Sequence, residues 1–121
     1  MSTEKIANVL VELCRQGKNL EAIEQYYSPD VVSVESMSGP ERETTGLDAV
    51  LGKSKWWVEN HEVHSAEVNG PYLGENQFAL EFKYDVTQKF SGKRLQMHEM
   101  GLYTVAGDKI THEHFFYPTG G

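Results

Sequence analysis

The sequence predicts an α+β domain with its helices first and its sheet last. Apolar residues recur at helical spacing in three stretches before residue 61, and from there to the C-terminus the period falls to two. Strands and helices do not alternate, which excludes a dinucleotide-type β-α-β arrangement. A length of 121 residues is enough for one domain, 1–121, around one core and too short for two.

Ile6, Val9, Leu10 and Leu13 recur at i, i+3, i+4 and i+7, with Ser2 or Thr3 available as N-cap, so residues 3–16 form an amphipathic helix that Gly17 stops. Asn19 then caps a shorter helix in which Leu20, Ile23 and Tyr27 share a face, ended by a turn at Ser28-Pro29-Asp30. The β-branched run after it gives a strand with Val31, Ser33 and Glu35 on one face. Residues 37–44 read as a polar loop. Thr45-Gly46-Leu47-Asp48 resembles a capping box, and Leu47, Val50, Leu51, Ser54, Trp57 and Val58 extend a third helix to about residue 60. That spacing puts Trp57 and His61 on the buried face and Trp56 on an outer flank.

Strands follow at about 62–70, 76–88, 93–105 and 109–117, an antiparallel meander punctuated by Gly70-Pro71, Ser91-Gly92 and Gly107-Asp108. Phe78, Leu80, Phe82 and Tyr84 form one apolar face, packed on the helices. In the next strand Leu95, Met97, Glu99, Gly101, Tyr103 and Val105 share a face. A two-residue Gly107-Asp108 hairpin pairs Val105 with Ile110, and regular counting then sets Tyr103 against His112, Gly101 against His114 and Glu99 against Phe116, all inward. A three-residue loop would turn both histidines out and bring Glu113 in. The first register is favoured because it buries Ile110 and Phe116. It leaves Met100, Leu102, Phe115 and Tyr117 as an apolar patch on the outer face, which a homodimer through the sheet would cover.

Eleven Lys+Arg against 18 Asp+Glu give a net charge of −7 without an acidic tail, so neither nucleic acid nor an anionic membrane surface is an expected partner. The single cysteine, Cys14, excludes an internal disulfide and reads as a packed thiol. No apolar stretch reaches membrane-spanning length and the N-terminus lacks signal-peptide character, so the chain reads as soluble and cytoplasmic.

The chemistry-bearing residues on the inner face are Glu35, Glu99, His112 and His114. A carboxylate on an apolar face costs desolvation unless it is paired or used, and carboxylates beside imidazoles suit general acid–base work. The matching reaction class is proton abstraction next to a carbonyl: isomerisation, aldol-type cyclisation or dehydration. Glu35 or Glu99 would be the base and a histidine the partner acid, with Trp57, His61, Phe82, Tyr84, Met97, Tyr103 and Phe116 lining the pocket for a small hydrophobic molecule. No cofactor is called for. No metal is expected either, since His112, His114 and Glu99 would need a shared geometry that spacing does not supply. The alternative is a non-catalytic module that binds a small ligand in the same cavity.

Several segments carry a likeness: Gly17-Lys18-Asn19-Leu20-Glu21-Ala22-Ile23, Tyr26-Tyr27-Ser28-Pro29-Asp30-Val31, Gly46-Leu47-Asp48-Ala49-Val50 and Gly107-Asp108-Lys109-Ile110-Thr111. On these the chain resembles the SnoaL-like polyketide cyclase group of the nuclear transport factor 2-like superfamily. The resemblance implies a cone-shaped, curved antiparallel sheet whose pocket is closed by three helices from the N-terminal half, and frequent dimers. Ketosteroid isomerase, a relative, uses an aspartate base with tyrosine and protonated aspartate donors. By resemblance that base matches Glu35, the tyrosine falls at Val11, and the second aspartate falls near Gly101. The late acidic residue of the cyclases falls at Phe115 and Phe116.

Overall fold

The computed structural model describes residues 2–119. Met1, Gly120 and Gly121, which the single-domain reading of 1–121 includes, lie outside the described residues. In chain order the elements are α1 (Thr3–Arg15), α2 (Asn19–Tyr26), β1 (Tyr27–Val34), β2 (Glu43–Thr45), α3 (Leu47–Asn60), β3 (His61–Leu73), β4 (Gln77–Gln88), β5 (Arg94–Ala106) and β6 (Lys109–Phe116).

Ser2 caps α1 by accepting the Lys5 N–H at 3.2 Å. Two other expected caps are not made. Lys18 occupies the cap position of α2, which leaves Asn19 already helical, and Gly46 at φ +98° precedes α3 with no side-chain cap. Thr45 is drawn instead into β2, paired with Val32, together with Glu43 and Thr44 from the end of the expected loop. Ser28-Pro29-Asp30 lies inside β1 rather than in a turn. Proline has no N–H for a ladder, and the β1–β6 pairing is interrupted there, between Tyr27 and Val32.

One six-stranded sheet has the order β2-β1-β6-β5-β4-β3. β3 to β6 form the expected antiparallel meander, but β1 runs parallel to β6, so the sheet is mixed rather than antiparallel throughout. Irregularities in β3 between Val63 and Ser65 and between Asn69 and Tyr72 help to curve it. α1 packs on β3 and β4, and α3 on β1. Between helices and sheet lies the core of Ile6, Leu10, Val31, Val50, Phe78, Leu80 and Ile110, all fully buried or nearly so. No helix among the described residues is long and apolar enough to cross a membrane.

The last hairpin departs from the favoured register. Its loop is the expected two residues, with Ala106 opposite Lys109 and Val105 opposite Ile110, but Thr111 is then bulged out and Thr104 pairs with His112. Every later side chain of β6 is therefore reversed. Glu113 and Phe115 turn inward opposite Tyr103 and Gly101, while His112, His114 and Phe116 turn outward opposite Thr104, Leu102 and Met100.

Candidate active site

Four elements deliver side chains to the inner face. Alternation along β1 points Val31 and Ser33 inward, both fully buried, and carries on to Glu35 just past the strand end. On α3, Lys53 stands three residues after buried Val50 and four before Trp57, which places it on the helix's inward side. β5 supplies Glu99, across from Phe82 of β4. The Thr111 bulge supplies Glu113, 2% exposed.

These groups form a continuous hydrogen-bonded chain. Glu113 accepts from the Tyr27 hydroxyl, and its other oxygen accepts from Ser33 Oγ at 2.6 Å. Lys53 Nζ donates to Ser33 Oγ at 2.6 Å and to Glu35 Oε1 at 2.9 Å. Glu35 Oε2 takes the Tyr117 hydroxyl at 2.8 Å. Ser36 Oγ accepts the Tyr117 N–H and donates to the Phe115 carbonyl, fastening the segment after β6 beside Glu35. Both oxygens of Glu35 are thus engaged. Glu99, half-buried, has no hydrogen-bonding partner among the described residues.

The electrostatics follow from that difference. Burial, then the charges of Glu35 and Glu113, push the Glu99 carboxyl up to about 7, with Lys53 pulling the other way. Burial also raises Glu113, opposed by the hydrogen bonds from Ser33 and Tyr27 and by the Lys53 charge. The Tyr27 and Tyr103 phenols are driven well above their ordinary range, first by burial and then by Glu113. Burial and then Glu113 push the Cys14 thiol up to about 12, which leaves it a packed, unreactive group at neutral pH.

Of the expected site residues, the fold brings Glu35 and Glu99 together and separates the histidines from them. His112 is exposed, and His114 stacks on Phe116 with ring centroids 4.2 Å apart, on the sheet face opposite Glu99. A two-histidine, one-carboxylate metal set does not assemble, nor does any group of three His, Cys, Asp or Glu suited to a metal among the described residues. Phe116, expected to line the pocket, is 46% exposed. The remaining aromatic wall residues cluster inside. Trp57 stacks on His61 at 4.4 Å and tilts against Tyr84 at 5.7 Å. Tyr84 stacks near Phe82 at 6.0 Å with Met97 opposite it across the ladder, and Tyr103 stacks on Phe78 at 5.0 Å. His61 is held by its Nδ1, 2.8 Å from the Trp57 carbonyl oxygen.

Lys53, Glu113, Tyr27 and Tyr117 are not among the residues expected from sequence. The spacing Val50, Lys53, Trp57 carries a signal for Lys53, since it marks the inward side of α3. Glu113 carries none apart from the register. A groove of about 680 Å³, lined by Glu67, Lys83, Asp85, Gln96 and His98 together with the wall residues Tyr84 and Met97, involves no member of the carboxylate chain.

Among families, the SnoaL-like domain model matches residues 1–117. A solved structure from Mesorhizobium loti, a proposed SnoaL-like polyketide cyclase (carbohydrate phosphatase), is 50% identical with TM-score 0.93, covering 97% of this chain and 100% of that one. An NTF2-like protein from Anabaena variabilis is 17% identical with TM-score 0.77, covering 98% and 91%. A protein with a ketosteroid isomerase-like fold from Catenulispora acidiphila, in complex with trimethylamine, is 19% identical with TM-score 0.74, covering 94% and 85%. No protein with a curated description matches the chain.

Proposed function

The chain belongs to the SnoaL-like domain family, and from that premise we propose that it is a cofactor-free isomerase or lyase acting on a hydrophobic carbonyl compound, with Glu99 as the base. The observation that carries this reading is the contrast between the two inner carboxylates. Glu35 has Lys53 on one oxygen and Tyr117 on the other, so its lone pairs are committed. Glu99 is half-buried and unpartnered among the described residues, beside aromatic walls, and its proton affinity is raised close to neutrality. A base poised near the working pH can take a carbon-bound proton and give it back.

With His112 and His114 on the far face, neither of these imidazoles acts beside Glu99. A single carboxylate that removes and returns one proton suits isomerisation or aldol-type cyclisation better than a dehydration that needs a separate acid. Trp57, Phe82, Tyr84, Met97 and Tyr103 supply the apolar surroundings. A phosphate substrate fits poorly, because three carboxylates face one ammonium that is already paired. We also assign the outer sheet face to a homodimer contact: of the apolar patch expected there Phe115 turns inward and Tyr117 bonds to Glu35, and Phe116 joins Met100 and Leu102 in their place.

The test is incorporation of deuterium from heavy water into positions next to the carbonyl of a panel of apolar ketones, followed by proton NMR. Wild-type protein should catalyse exchange and Glu99→Gln should lose about two orders of magnitude or more, the scale of a lost general base. Ligands that bind and raise the melting temperature without any exchange would support the non-catalytic binding module instead.

A further inference from the structure

An ammonium group has three N–H donors. In Lys53 one goes to Ser33 Oγ and one to Glu35 Oε1, and the third has no acceptor among the described residues. Both acceptors are fixed in their turn. Ser33 gives its own proton to Glu113, so a lone pair is left for Lys53, and Glu35 is held from its other side by Tyr117. Lysine on a helix commonly extends to water and gives up rotamer freedom when fixed. Here it is 27% exposed, its partner Glu35 17%, and Nζ lies 5.9 Å from the centroid of the inward Phe115 ring. A simple surface ion pair would not require the buried Tyr27–Glu113–Ser33 frame behind it.

We infer that Lys53 is the oxyanion-stabilising group of this site, its third N–H meeting the carbonyl oxygen of an enolisable ketone or aldehyde as that oxygen becomes an enolate. The inference rests on the reading of Glu99 as the base. In the step, the C–H bond next to the carbonyl breaks and its proton passes to a Glu99 oxygen. The freed pair forms the C=C bond, and the carbonyl π pair moves onto oxygen beside Lys53. Returning the proton to carbon reverses these movements, so no oxidant, reductant or co-reactant enters. The substrate class narrows accordingly: the new negative charge must be the one that Lys53 meets, and a permanent carboxylate or phosphate on the substrate would be repelled by Glu35 and Glu113. Ser33 and Glu113 are positioning residues, acting through Lys53.

A nitrophenol tests this without knowledge of the substrate, because its phenolate mimics an enolate and absorbs at a longer wavelength than the neutral phenol. At a pH below the probe's own pKa, wild-type protein should bind it and raise its phenolate fraction above that in buffer. Lys53→Gln should lose that gain and bind the phenolate about tenfold or more weakly, the scale of one charge-assisted hydrogen bond. Lys53→Arg should restore part of it. Ser33→Ala should lower the bound phenolate fraction while leaving affinity for an uncharged arene of the same size unchanged, a split that a purely structural role would not give. Glu99→Gln should keep the phenolate signal while abolishing deuterium exchange. Equal phenolate fractions in protein and buffer overturn the assignment from the wild-type measurement alone, even if Lys53→Gln fails to fold. A phenolate signal unchanged in Lys53→Gln overturns it while leaving Glu99 as base, and loss of exchange without loss of the signal separates the two readings.

Discussion

Replacing Glu99 by Gln should stabilise the protein, and the amount should depend on pH in a defined way. Gln has the shape of protonated Glu and keeps the packing opposite Phe82, so it imitates the neutral carboxyl at every pH. In the folded protein the Glu99 carboxyl is raised from the ordinary 4.5 to about 7. The folded state therefore holds a proton that the unfolded chain has released between those two values. Stability owed to that proton is complete below the unfolded value and disappears as pH rises through the folded one. At about 1.4 kcal/mol per pH unit the loss amounts to ~3 kcal/mol. Wild type and Glu99→Gln should accordingly unfold alike near the acid end and diverge until slightly above neutrality, where the variant leads by ~3 kcal/mol, or about 10 °C in melting temperature for a domain of this size. The assay is urea unfolding of both proteins across the pH range. A difference that stays constant with pH would mean that Glu99 titrates as an ordinary carboxyl and would remove the physical ground for its role as base.

Three further outcomes follow from the packing. Gly101→Ala should destabilise the fold by about 1–3 kcal/mol in thermal unfolding, since a Cβ there would come within 2.9 Å of Tyr103 Cε2 and 3.2 Å of Phe115 Cε1, both in packed rings. Tyr27→Phe should cost about 1–3 kcal/mol at neutral pH and less in acid, because the lost hydroxyl stabilises the charged form of Glu113; a loss independent of pH would mean that Glu113 is not the partner that matters. Met100→Lys should convert a wild-type dimer into a monomer in sedimentation, Met100 being 36% exposed on the outer face, and a monomeric wild type would refute the proposed contact.

The long strands were legible because their apolar residues alternate without interruption: the stretches expected at 76–88, 93–105 and 109–117 are β4 Gln77–Gln88, β5 Arg94–Ala106 and β6 Lys109–Phe116. The helices were legible from their stripes. β2 was not, since Glu43-Thr44-Thr45 has no apolar residue to give it a period and exists only through pairing with β1. Glu35 and Glu99 were legible as inward carboxylates by parity alone. Lys53 is not legible in the sequence because a lysine on a helix ordinarily serves solvent, and its inward task appears only when Glu35 and Ser33 arrive from β1 to accept its hydrogen bonds.

The exchange of two histidines for one glutamate inside the sheet turns on a single extra residue, Thr111, and local sequence has no means to decide it. With or without the bulge the Gly107-Asp108 loop is kept and Ile110 is buried, and the bulge trades an inward Phe116 for an inward Phe115, so nothing within the hairpin separates the two arrangements. The decision comes from residues far away in the chain. With the bulge, Glu113 enters a position where Tyr27 and Ser33, 86 and 80 residues earlier, satisfy its oxygens. Phe115 then meets Tyr103 edge-on at 6.1 Å, and Tyr117 reaches Glu35. Without the bulge the Glu113 carboxylate would leave the inner face, where it satisfies both the Tyr27 and Ser33 hydroxyls, and a buried donor left unmet costs free energy that one bulged residue can offset. The same frame that selects the register also holds the Lys53 ammonium beside Ser33 and Glu35. The register of the last hairpin and the chemistry proposed for the site therefore share one determinant: the buried carboxylate of Glu113.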